Sequence, residues 1–360
     1  MNDRKSAGHT RPDRWGCLKR NALVFLAVLS VTVSACAQES RESYVYVPAT
    51  VSKEWQDYLP TLPDPNRWSP KFPMAGDIGG WEKLDKSNEI HKEVNDRVLR
   101  VYEPQITPRK LGGVPVLDIK PRNWKRSAKI LIYTHGGSYT FGSAQSSLAN
   151  AVLVADATGL RVVSVDYTVA PRARWQQITD EVVAVFEALR EEGHPLKYIA
   201  IHGTSAGGGL AAGAVLKMRD QGIGMPAAAV LWSPWSDITE TGDTYMTLKA
   251  ADPDLVYGKT LKASAAAYAD PKDQKNPYVS PVYGDYTKGF PPTLIQGGTK
   301  EIFLSNFIRQ YQAIEAAGQT AKLDLYEGMI HVFQLRLPES PESQLALTKV
   351  KNFLDQYLGK

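Results

Sequence analysis

Gly203-Thr204-Ser205-Ala206-Gly207 follows directly on the apolar run Tyr198-Ile199-Ala200-Ile201. G-x-S-x-G after a strand is the pattern of a sharp strand-to-helix turn that lifts a serine hydroxyl clear of a parallel sheet. The chemistry open to such a serine is nucleophilic attack on an acyl carbon. Glycines flank it because the serine backbone is strained and a side chain beside it would collide with the neighbouring strand and helix. About one chain in ten of this length carries the pattern by chance. The partners must therefore decide whether it means anything.

A serine nucleophile needs a base, an acid to orient that base, and donors for the oxyanion. On a sheet with the serine at such a turn, the chain order is serine, acid, histidine. The histidines are His9, His91, His135, His194, His202 and His331, and only His331 follows Ser205. It lies in Glu327-Gly328-Met329-Ile330-His331, a turn after the expected strand Lys322–Tyr326. The acid belongs on the loop after the preceding run, Thr293–Gln296. There, in Gly297-Gly298-Thr299-Lys300-Glu301, Glu301 is the only carboxylate before the next helical pattern. The oxyanion donors are expected from the Ala206 amide and from the turn His135-Gly136-Gly137-Ser138-Tyr139, which follows the run Lys129–Thr134.

These pieces need a sheet to hold them. Short β-branched runs occur at Val98–Tyr102, Val114–Ile119, Lys129–Thr134, Arg161–Asp166, Tyr198–His202, Ala227–Trp232, Thr293–Gln296 and Lys322–Tyr326. Several are apolar on both faces, as strands covered by helices are. Helical patterns alternate with them at Leu148–Thr158, Gln177–Glu192, Ala206–Asp220, Phe303–Ala317 and Glu342–Leu358. The alternation predicts an α/β fold with a mostly parallel eight-stranded sheet. Residues 236–286 carry no confident strand signal and read as a helical insertion between the sixth and seventh strands. Residues 36–95, rich in proline and tryptophan, read as a tether followed by a lid segment.

The chain has 360 residues, 43% apolar and 22% charged, with a net charge of +4. No dense basic tract occurs in its body, which gives nucleic-acid binding no support. The first 20 residues are basic, Ala22 to Val33 is apolar, and Val33-Ser34-Ala35-Cys36 follows. That order predicts a secretory signal over residues 1–35, with an apolar core too short for a comfortable membrane span. Val-Ser-Ala-Cys resembles the lipobox of bacterial lipoproteins, which implies cleavage before Cys36 and its lipidation. Ala37 then implies the outer membrane of a Gram-negative cell; a plain signal with a soluble periplasmic or secreted product is the alternative. The other cysteine, Cys17, lies inside the signal, so neither an internal disulfide nor a thiolate metal cluster is expected.

The motifs together resemble the bacterial hormone-sensitive-lipase-like (family IV) esterases of the α/β-hydrolase superfamily. His135-Gly136-Gly137-Ser138 stands for that family's HGGG, and Gly203-Thr204-Ser205-Ala206-Gly207-Gly208 for its GDSAGG. Further matches are Val165-Asp166-Tyr167 with Ala170-Pro171, Ser233-Pro234-Trp235-Ser236-Asp237, Ser280-Pro281, and Glu327 through Phe333. The resemblance implies a triad of Ser205, Glu301 and His331, with a hole built from the amides of Gly137, Ser138 and Ala206 and a turn shaped by Gly136. It implies a cap from the segment up to Asn95 and from the 236–286 insertion. It also implies hydrolysis of short-chain or compact carboxylic esters through an acyl-enzyme, with no metal or organic cofactor.

Tyr139, Phe141 and Trp235, and more distantly Trp175, are candidates to line the pocket, with core packing as the alternative reading of each. Three departures stand out: Ser138 for a glycine, Thr204 for an aspartate, and Thr168-Val169-Ala170-Pro171-Arg172 for Arg-Leu-Ala-Pro-Glu. None removes a catalytic group. An amidase or lactonase using the same triad, and a non-catalytic ligand-binding homologue, are the rival readings; His331 argues against the second. The expected partners are a small ester and, through the lipid, a membrane. A homodimer is compatible with the chain.

Overall fold

The computed structural model describes residues 45–64, 72–87 and 92–360. The expected signal, Cys17, Cys36 and the start of the tether lie outside the described residues. Among those described, no helix is long and apolar enough to cross a membrane.

Eight strands form one sheet in the order β1-β2-β4-β3-β5-β6-β7-β8. They are β1 (Gln105–Leu111), β2 (Val114–Lys120), β3 (Ile130–Thr134), β4 (Arg161–Val165), β5 (Ile199–Thr204), β6 (Ala228–Trp232), β7 (Thr293–Gly298) and β8 (Ala321–Tyr326). The β1–β2 and β2–β4 pairs are antiparallel, and every other pair is parallel. All five residues of β3 and of β6 are buried, as strands covered on both faces must be.

The helices that build the layers are α1 (Lys53–Tyr58), α2 (Ile78–Ser87), α3 (Lys92–Tyr102), α4 (Leu148–Thr158), α5 (Trp175–Glu191), α6 (Ala206–Asp220), α7 (Lys262–Tyr268), α8 (Leu304–Ala316) and α9 (Pro341–Tyr357). Side chains alternate across each strand, so Ile130, Ile132, Ile199 and Ile201 join a core with α5, α6 and α8. Leu131, Tyr133 and Ala200 point the other way, into a core with α4 and α9. A third cluster joins Val51, Trp55 and Leu59 to Met329, Ile330 and Phe333, next to the end of β8.

One strand expectation fails. Val98–Tyr102 is not a strand but the last turns of α3, and the first strand is Gln105–Leu111. Val94, Val98 and Tyr102 recur every four residues, which places them on one helical face against the α4 core. The true β1 is an edge strand containing Pro108, with four of its seven positions exposed. A polar, proline-bearing edge sends no hydrophobic signal. Between β6 and β7 the chain forms no strand; it makes a helical turn at Thr244–Thr247, a wide turn at Tyr257–Leu261, and α7.

Candidate active site

Ser205 stands between β5 and α6 with φ 56° and ψ −125°, a backbone state that non-glycine residues seldom occupy. The turn holds it there. Its N–H donates to Trp232 O at 2.9 Å, and its carbonyl accepts from Gly208 at 2.9 Å and from Trp235 at 2.9 Å. A side chain at Gly207 would lie 2.2 Å from Thr134 O, so α6 packs directly on the end of β3 through bare backbone. Ala206 opens α6, where a first-turn amide has no acceptor within its own helix.

The turn after β3 lies against the nucleophile. A Cβ on Gly136 would sit 3.2 Å from Ser205 Cβ and 3.2 Å from Thr204 O. Gly137 has φ 110°, and its carbonyl accepts from Thr140 at 2.9 Å and Phe141 at 3.1 Å, which closes the turn. Ser138 follows with φ 51° in the left-handed region, so the residue that departs from glycine adopts a backbone glycine would favour.

His135 braces the turn from below. Its ring stacks on Tyr167 at 4.0 Å, and the Tyr167 hydroxyl donates to His135 O at 2.8 Å. His135 Nδ1 lies 2.7 Å from Gly136 O, which can only accept, so Nδ1 carries the proton. Burial pushes this imidazole down, and it stays neutral.

Glu301, at the end of β7, is fully buried. One carboxylate oxygen accepts from Gly298 N at 2.6 Å and from Ser233 Oγ at 2.9 Å. The other lies 2.7 Å from His331 Nδ1. A carboxylate accepts only, so Nδ1 holds the proton and Nε2 keeps its lone pair. Burial alone would push the His331 imidazole down. The hydrogen bond and charge of Glu301, helped by Asp252 and Asp254, carry it above its ordinary value.

Ser205, Glu301 and His331 thus occupy loops at the same, C-terminal edge of the parallel strands: after β5, β7 and β8. Consecutive residues at the end of β6 reach all three of these loops. Trp232 O holds the Ser205 amide, while Ser233 Oγ accepts from Val332 N at 3.0 Å and donates to Glu301. Ser233 opens the motif Ser233-Pro234-Trp235-Ser236-Asp237, but its double role has no local signature. Gly298 shows how close the acid and histidine loops come. A Cβ there would meet Met329 O at 2.0 Å.

The expected pocket aromatics divide. Tyr139 and Trp235 are both 0% exposed and belong to the core, which corrects their reading as pocket lining. Tyr139 stacks on Tyr268 at 3.8 Å, and Trp235 lies parallel to Phe303 at 5.7 Å. Phe303 in turn meets the His331 ring edge-on at 5.4 Å, so the Trp235 ring is linked to His331 through it. Phe141 is partly exposed and packs against Phe72 at 5.9 Å. Trp175 donates to Asp273 at 3.3 Å, at the margin of the main core.

The other departures also have structural partners. The buried Thr204 hydroxyl lies 2.9 Å from the Tyr133 hydroxyl, so a neutral pair occupies the position beside the serine. Thr168 donates its amide and its hydroxyl to Glu181 at 2.6 and 2.9 Å. Among the described residues, no group of three or more His, Cys, Asp and Glu side chains is arranged to hold a metal ion.

The chain matches the alpha/beta hydrolase fold family over residues 131–335. An acetyl-hydrolase of Streptomyces hygroscopicus is 34% identical over 76% of this chain and 97% of its own length. An esterase of Acinetobacter venetianus is 32% identical over 75% of this chain and 90% of its own. Among solved structures, the esterase E25 superposes with a TM-score of 0.80 at 28% identity, covering 86% of this chain and 96% of that one. An esterase from the bacterial hormone-sensitive lipase family superposes with a TM-score of 0.70 at 28% identity, covering 79% and 98%. This chain belongs to the alpha/beta hydrolase fold family and, within it, to the bacterial hormone-sensitive-lipase-like esterases.

Proposed function

We propose that this ester hydrolase cleaves short-chain or compact carboxylic esters with Ser205 as nucleophile, His331 as base and Glu301 as the acid that orients it. The observation that carries the reading is the 2.7 Å contact between His331 Nδ1 and a fully buried Glu301. It fixes the tautomer whose Nε2 can take the Ser205 proton. As Oγ attacks the ester carbonyl, the imidazole becomes imidazolium and Glu301 stabilises its charge. The carbonyl oxygen becomes an oxyanion held by the amides of Gly137, Ser138 and Ala206. The imidazolium then protonates the departing alcohol, and water, activated by the same histidine, clears the acyl-enzyme.

A fluorophosphonate probe tests this directly. It should label Ser205 and no other residue, as read by mass mapping of the digest. A protein that turns over esters while Ser205 stays unlabelled would refute the assignment. Compact substrates are supported by the buried Phe303 ring, which lies edge-on to His331 at 5.4 Å. Rates on p-nitrophenyl esters should accordingly fall as the acyl chain lengthens, and a preference for long chains would contradict that part of the reading.

The pH dependence has a definite sign. His331 must be neutral to accept the serine proton, and its pKa lies above the ordinary 6.5. kcat/KM should therefore be flat at alkaline pH and fall about tenfold per pH unit below that pKa. A rate profile from about pH 5 to 9 measures it, and an acid limb centred below about pH 6 would contradict the environment described for His331.

A further inference from the structure

The insertion between β6 and β7 does more than lie over the sheet. The backbone of the residue next to the acid is held by it at both its N–H and its carbonyl. Ile302, which follows Glu301, donates its N–H to Asp252 Oδ2 at 2.8 Å, and its carbonyl accepts from Thr244 Oγ1 at 2.7 Å. Thr244 also accepts from Ser305 N at 3.0 Å. Both gripping residues belong to the 236–286 segment, some 50 residues from the acid in sequence.

Asp252 is an unusual choice for a purely structural clamp. It is 0% exposed, and burying a carboxylate costs several kcal/mol unless other groups compensate. Its hydrogen bonds come from three backbone amides: Ile302, Asp254 at 2.9 Å and Leu255 at 3.0 Å. Its neighbour Asp254 differs, being paired with Arg336 at 2.8 Å. The charged groups acting on His331 are Glu301 from the acid loop and Asp252 and Asp254 from the insertion. Burial and the charge of Asp254 push the Asp252 carboxyl up to about 7, while the Ile302 amide and His331 work in the opposite direction.

The geometry points to Asp252 as a positioning residue for the reaction. It holds the acid loop from the insertion, jointly with Thr244, and, when ionised, sets a second negative charge behind the His331–Glu301 pair. The inference rests on the assignment of Glu301 and His331 above. A charge so placed acts little on the neutral imidazole of the resting enzyme. It acts strongly on the imidazolium that forms with the tetrahedral intermediate. That difference is what raises kcat rather than tightening substrate binding.

The test compares Asp252→Asn with Thr244→Val in the whole protein, with kcat counted per fluorophosphonate-reactive site. Asp252→Asn keeps the shape but removes the charge and, since its NH2 cannot accept, the backbone hydrogen bonds to one of the two oxygens. It should lower kcat about tenfold, leave KM within about twofold, and move the acid limb to lower pH by about half a unit, since a favourable charge beside the imidazolium has gone. Thr244→Val loosens the same peptide without touching charge. It should lower kcat by about threefold and leave the limb in place.

Should Asp252→Asn fail to fold, the Thr244→Val result decides the clamp by itself: reduced kcat at unchanged KM supports it, and wild-type kcat overturns it. If Asp252→Asn folds with wild-type kcat and an unmoved limb, the inference is wrong even though Ser205 labels. If Ser205 does not label, the triad itself is wrong, so the two failures are distinct.

Discussion

Ser205→Ala is expected to lower kcat for p-nitrophenyl butyrate by about 10⁵- to 10⁶-fold while leaving the melting temperature at or above that of the parent. The loss is large because His331, Glu301 and the oxyanion amides act only through the oxygen they activate; without it, what remains is the small catalysis that the hole gives to water. Stability should not suffer. Ser205 holds φ 56°, ψ −125° through backbone hydrogen bonds that alanine also makes. Glu301→Gln is the companion case. Its amide can still accept from Ser233 or from Gly298, but not hold the imidazolium charge, so a loss of about 10³- to 10⁴-fold is expected. Equal activity of Ser205→Ala and parent, in protein purified free of host esterases, would remove the nucleophile from the mechanism.

The largest stability effect is expected at Gly207→Ala. The added methyl would sit 2.2 Å from Thr134 O and 2.3 Å from His135 O. Both are backbone atoms at the end of β3, a strand paired on both sides by β4 and β5, and they cannot retreat without breaking ladder bonds. Overpacking against rigid backbone should cost about 3 kcal/mol or more, read from the urea midpoint at constant slope. Gly258→Ala is the control, because nothing lies within 4 Å of its Cβ position. It should shift stability by less than about 0.5 kcal/mol. Equal effects of the two would mean that α6 is free to move off the sheet, and that the serine turn is not held by close packing.

How much of this was legible beforehand depends on whether a feature leaves a local trace. Ser205 is legible from its pentapeptide, and His331 from a chain order that leaves one candidate histidine. Glu301 is legible as the single carboxylate in a short window. Seven of the eight strands were visible as β-branched runs. β1 was not, because its exposed positions and Pro108 make it look like a loop, while the valines of α3 mimic a strand over five residues. Tyr139 and Trp235 read equally as pocket or core in the sequence because residue type alone cannot separate a buried ring from a ring at a cleft. Asp252, Thr244 and Ser233 act on residues between 50 and 99 positions away, and contacts of that span have no periodicity to read.

The histidine loop is propped in the same fashion as the acid loop, from outside the sheet. Trp55 of α1 meets Phe333 at 6.4 Å and donates to Ser340 at 2.9 Å, and Thr50 donates to Glu327 at 2.8 Å. The two parts of the chain expected to shape the substrate cavity are therefore also the buttresses of the two groups that run the proton transfer. Modularity is what such an architecture gives up. Grafting the 236–286 segment or the 45–62 segment from a relative with another substrate range should not simply transplant selectivity. It should detune the proton relay as well, unless residues such as Asp252, Thr244 and Trp55 travel with their counterparts on the sheet. Directed changes of specificity are better sought at positions that face the cavity without touching either loop.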